Sequence, residues 1–111
     1  MRIDCKLPGY ESCYLDIADR WTRGEIRAFW TVTDDEEATA LLRSKLSDMH
    51  LTAVDGDSFD DPEDLTTANV DKLDYELYLW VSTAFGEAIN ELQALAKKNA
   101  RASFSTTAAK K

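Results

Sequence analysis

The chain has 111 residues, 44% apolar and 10% aromatic, enough for one hydrophobic core and not for two. Its 21 acids against 13 bases give a net charge of -8 and a pI near 4.5, a balance that opposes binding to phosphate backbones or anionic lipid. The run Leu77-Tyr78-Leu79-Trp80-Val81 is far too short to span a bilayer, and Met1-Arg2-Ile3-Asp4-Cys5-Lys6 lacks the apolar stretch of a secretory signal, so a cytoplasmic protein is expected.

Residues 3–7 and 13–17 alternate apolar and polar around Pro8-Gly9-Tyr10 and predict a β-hairpin. Pairing Leu7 with Glu11 sets Cys5 opposite Cys13 and Ile3 opposite Leu15. That register puts Ile3, Cys5, Leu7, Cys13, Leu15 and Ile17 on the buried face. The two cysteines are expected as buried, reduced thiols, although opposed cysteines can form a cross-strand disulfide on oxidation.

Trp21-Thr22-Arg23-Gly24-Glu25-Ile26 carries the spacing of a capping box, Thr22 with Glu25, inside a hydrophobic staple, Trp21 with Ile26. A short helix should start at Thr22, bury Ile26, Phe29 and Trp30, and end where Thr31-Val32-Thr33 crowds β-branched side chains together. Thr33 and Glu36 repeat the box for a second helix, whose Asp34-Asp35-Glu36-Glu37 run complements the positive end of the helix dipole and whose stripe is Leu41, Leu42 and Leu46.

Residues 50–54 read as a short strand. Asp61-Pro62 reads as an N-cap followed by proline at the first helical position. From Thr66 or Thr67 to about Lys98 the apolar period predicts one dominant helix of roughly 45 Å, longer than a globule whose radius of gyration should be about 13 Å. It must break, with Gly86 as the candidate point, or protrude. The apolar residues around Trp80 occupy more sides of the helix than one core-facing stripe requires. Leu77, Trp80, Val81, Phe85 and Ile89 are therefore the candidate partner-binding residues, and self-association as a homo-oligomer is expected.

Beyond Asn99 no apolar period remains, and a disordered basic tail over 99–111 is expected after a single acidic domain over 1–98. Five of the 13 bases, Lys97, Lys98, Arg101, Lys110 and Lys111, lie in this closing segment. The other 8 face all 21 acids, a balance of -13 over residues 1–96. The fold class expected is α+β, mainly helical, with an N-terminal hairpin packed on three or more helices, the last the longest.

Motifs of chemistry are missing. The glycines at 9, 24, 56 and 86 are too scattered for a phosphate loop. His50 with Cys5 or Cys13 lacks an orienting third residue, and these three are too few for a zinc site. The stretch Asp55-Gly56-Asp57-Ser58-Phe59-Asp60-Asp61 fails as a calcium loop, because Asp60 stands where the turning glycine belongs and Thr66 where the bidentate glutamate belongs. No catalytic residue, metal or cofactor is expected; the reading is a non-enzymatic, protein-binding chain.

The order of features resembles the tail assembly chaperones of long-tailed, siphovirus-type bacteriophages over roughly residues 14–98. The likeness rests on Trp21-Thr22-Arg23-Gly24-Glu25-Ile26 with Phe29-Trp30, then the acidic middle. It continues in Leu73-Asp74, Leu77, Trp80, Ala84 and Ala88-Ile89-Asn90-Glu91-Leu92. This resemblance implies a protein of the host cytoplasm that binds the tape measure protein and helps tail tube subunits polymerise around it; the acidic charge and short apolar runs argue separately against nucleic acid or membrane as partner. The alternative is an acidic phage-encoded inhibitor that mimics DNA, which needs carboxylates spread along one face like phosphates.

Overall fold

The computed structural model describes residues 1–109, with side chains through Ser103. Strands β1 (Arg2–Asp4) and β2 (Tyr14–Ile17) form the expected hairpin, and Ile3 pairs with Leu15 as the alternation requires. The Cys5 amide donates to the Cys13 carbonyl at 2.9 Å, which extends the same register toward the turn. Gly9 adopts a φ of 90° there, a left-handed conformation that suits glycine.

Helices α1 (Arg23–Thr31) and α2 (Asp35–Ser44) separate this hairpin from β3 (Leu46–Thr52), which pairs antiparallel with β2 and then with the two-residue β4 (Ser58–Phe59). The sheet order is β1-β2-β3-β4. Between Asp16 and Ile17 the β2–β3 register shifts by one residue. The bulge places both Leu46 and Met49 on the core face although they are three positions apart, which strict alternation forbids. Sequence had placed Leu46 on α2 and started the strand only at 50; the helix ends earlier because Leu46 is buried as a strand residue against Ile17.

The capping box at Thr22 is complete: the Glu25 amide donates to Thr22 Oγ1 at 3.1 Å and the Thr22 amide donates to Glu25 Oε1 at 2.8 Å. The second helix has a single cap bond and no reciprocal box, and its cap lies one residue further on. Asp34, not Thr33, caps α2 and accepts from the Glu37 amide at 2.9 Å, since a carboxylate at that place also complements the dipole. Asp61 and Pro62 open a single 3-10 turn, Pro62–Asp64, as their order predicts.

The single helix expected from residue 66 divides into α3 (Thr67–Val70) and α4 (Tyr75–Ala109). The break falls at residues 71–74 and not at Gly86, which lies inside α4. Leu73 is buried in the turn, and Asp74 restarts the helix by accepting from the Glu76 amide at 2.9 Å. Tyr10 donates to the other Asp74 oxygen at 3.2 Å, tying the hairpin turn to the start of α4.

α4 is 35 residues long, about 52 Å at 1.5 Å per residue. Its first half packs on the sheet and, with Leu15, Ile17, Met49 and Leu51, makes the core through Leu77, Val81, Phe85 and Ala88. Its second half protrudes: the radius of gyration is 16.6 Å and the extents are 63 × 28 × 20 Å. Residues 99–109, expected as a disordered tail, continue this helix, alanine and arginine being strong helix formers; Lys110 and Lys111 lie outside the described residues.

Candidate protein-binding groove

The five candidate partner residues do not share a surface. Leu77, Val81, Phe85 and Ile89 are buried in the chain's own core, because the face of α4 that carries them is the one the sheet covers. Trp80 is partly buried against that core and lines a depression of about 620 Å³ with Met1, Ile3 and Leu7 of the hairpin. The apolar excess seen in sequence emerges elsewhere on the helix, at Tyr75 (70% exposed), Tyr78 (39%) and Leu79 (44%).

Tyr75 and Tyr78 stand at a groove of about 860 Å³ bordered by α1, α2, α3 and the first half of α4. Each border follows from a local sequence feature. The end of α1 brings Phe29, Trp30 and Val32; Trp30, expected inside, is 55% exposed because Phe29 and Trp21 take the places against Phe85. The Trp30 and Phe29 rings meet edge to face at 4.8 Å, which holds the indole upright at the rim. α2 contributes Ala38, Leu41 and Leu42, and α3 contributes Val70.

On α4, Gly86 removes the side chain that would otherwise fill the space under Trp30. The charged residues lining the groove are Asp35, Asp71 and Glu87, all acidic. The exposed acids Asp34, Glu36 and Glu37 lie in the same turn of α2 as Asp35 or next to it. The groove is thus mostly apolar, with Thr39, Thr67, Ser82, Thr83 and Asn90 also in its lining, aromatic at its mouth and negative at its rim, which suits an amphipathic helix with basic flanks.

The groups that sequence considered for chemistry are apart. Cys5 and Cys13 lie on the core face, and burial raises the Cys5 thiol pKa. His50 is in β3 on the opposite face of the sheet, with Tyr14 stacked beside it and its Nδ1 against Asp60 Oδ1. Tyr14 itself donates to Asp48 Oδ2 at 2.8 Å beneath the Arg2 guanidinium, and that hydrogen bond holds the phenol pKa above its ordinary value. No thiol–imidazole pair can form across the sheet from these positions.

In the acidic stretch, Asp55 accepts from the Asp57 amide and Asp61 from the Glu63 amide. Among the described residues no group of three or more His, Cys, Asp or Glu side chains is arranged to hold a metal ion, and no helix is long and apolar enough to cross a membrane. No protein-family model, curated protein or solved structure matches the chain.

Proposed function

We propose that this chain is a helix-binding chaperone whose groove shelters an apolar, helical segment of a client protein. The observation that carries the reading is the groove itself: about 860 Å³, mostly apolar in its lining, with Trp30, Tyr75 and Tyr78 exposed around it and acids at its rim. Exposed aromatic residues beside a desolvated pocket are the usual anchors of protein interfaces. The feature order that resembles phage tail assembly chaperones names the client class, the tape measure protein, which is long, helical and prone to aggregate; tail tube subunits are the second partner this reading allows.

The DNA-mimic reading has less support. Asp34, Asp61 and Asp74 cap helices, Asp48 accepts from Tyr14, and Asp16 pairs with the terminal amine at 3.1 Å, so these carboxylates have partners within the fold.

The test is titration calorimetry with helical peptides tiled across a tape measure protein of a siphovirus-type bacteriophage. Wild type should bind at least one peptide with a Kd of about 1–10 μM, and Tyr78→Ala with Trp30→Ala should weaken it at least about tenfold. Equal binding by wild type and the double variant, or no binding to any peptide, would refute the groove as the client site.

A further inference from the structure

We propose that, when no client is bound, the groove of one molecule receives residues 92–103 of α4 from a second copy of this chain. The proposal rests on the reading of the groove as a helix-binding site and names its resting occupant.

Three observations carry it. The first is charge: Asp35, Asp71 and Glu87 line the groove, whereas the chain beyond Glu91 contains no acid and holds Lys97, Lys98 and Arg101. The second is the pattern of the protruding segment. At about 100° per residue, Leu92, Leu95, Ala96 and Asn99 share one face of α4, with Lys98 flanking it and Lys97 and Arg101 toward the opposite face. Leu95 is 54% exposed on its own molecule, so this stripe lacks full cover there. Seated in the groove, it would bring Lys98 to the acidic rim, with Lys97 and Arg101 adding to the positive charge of the docked segment.

The third is geometric. Asn90 lines the groove, and α4 continues unbroken beyond it to Ala109, so each further residue carries the chain about 1.5 Å away. A molecule cannot fill its own groove without breaking the helix. A second copy can, and because groove and tail are different surfaces the contact is reciprocal in a closed dimer or head to tail in a chain.

Association should therefore depend on concentration and weaken with salt. The experiment is sedimentation equilibrium of the full chain at low and high salt. One variant reverses the tail, Lys97→Glu with Lys98→Glu and Arg101→Glu; another reverses the groove, Asp71→Lys with Glu87→Lys. All five positions are exposed, and circular dichroism checks the fold. Each variant alone pairs like with like and should associate at least about tenfold more weakly than wild type. Mixed together, the acidic tail meets the basic groove and the basic tail meets the acidic groove, so association should return.

Leu95→Glu should weaken association without any change at the groove. A wild type that stays monomeric at high concentration in low salt, variants that associate as wild type does, or a mixture that fails to associate would each overturn the proposal. A monomeric wild type that still binds a client peptide refutes self-docking alone and leaves the groove reading in place. Loss of both refutes the groove.

Discussion

The ring of Trp30 packs over Gly86, so closely that a Cβ at position 86 would stand 3.4 Å from Cη2 of the indole. This contact joins the end of α1 to the middle of α4 and sets the depth of the groove between them. A distance of that size is ordinary van der Waals contact, so alanine fits without displacing the ring. Gly86→Ala should then stabilise the fold by about 0.5–1 kcal/mol, the amount by which alanine exceeds glycine inside a helix. Urea denaturation reads this directly, and a loss of stability would show that the ring is held more rigidly than the contact implies.

The Thr22 cap should be worth about 1 kcal/mol, measured as the loss in Thr22→Ala. Its partner Glu25 also receives Lys45 Nζ at 2.8 Å, and this contact, followed by the bond from the Thr22 amide, holds the Glu25 pKa below its ordinary 4.5. A carboxylate with a depressed folded pKa stabilises fully above the unfolded value and loses that stabilisation as pH falls through the folded one. Glu25→Gln should thus be less stable than wild type at neutral pH, with the gap closing in acid. A gap that stays constant with pH would contradict the ion pair.

Core and groove should separate in mutagenesis. Phe85 is fully buried, so Phe85→Ala should cost about 3–5 kcal/mol. Tyr78 stands at the groove mouth, and Tyr78→Ala should stay within about 0.5 kcal/mol of wild type while weakening peptide binding. Trp80→Ala should destabilise and leave peptide affinity unchanged, because the hairpin and not the groove covers that ring. Denaturation paired with calorimetry checks all three.

Both thiols should resist labelling in the native state, since Cys5 and Cys13 are buried and burial raises the Cys5 pKa, leaving little thiolate to react. Reaction with a disulfide reagent should follow the rate of unfolding, and fast labelling in buffer would show that the hairpin opens locally.

What was legible in the sequence was local or periodic. Alternation about a Pro-Gly turn is enough to set the register of Cys5 against Cys13 and Ile3 against Leu15, because a slip by one would turn every apolar side chain outward. The Thr22 box and the Asp61-Pro62 start were legible for the same reason: their hydrogen bonds close within three residues. The break at 71–74 was hidden, because Val70, Leu73 and Leu77 keep a helical period across it, and only the packing of Leu73 in a turn shows that the helix stops.

The candidate site was misplaced for a related reason. An apolar excess along α4 is visible in one dimension, but which side the sheet takes is not. Leu77, Val81, Phe85 and Ile89 went to the sheet, and Tyr75 and Tyr78 were left to the solvent. The groove needs Trp30, Leu42, Val70 and Gly86 together, residues from four elements whose meeting has no signature in spacing. By itself, then, the sequence determined the acidic charge, the basic acid-free end, the hairpin, the caps and a last helix too long for its globule, all properties that neighbours a few positions apart decide. Which apolar residues became core and which became groove was left to the tertiary structure, because burial depends on what lies across from a side chain and not on what stands beside it in the chain.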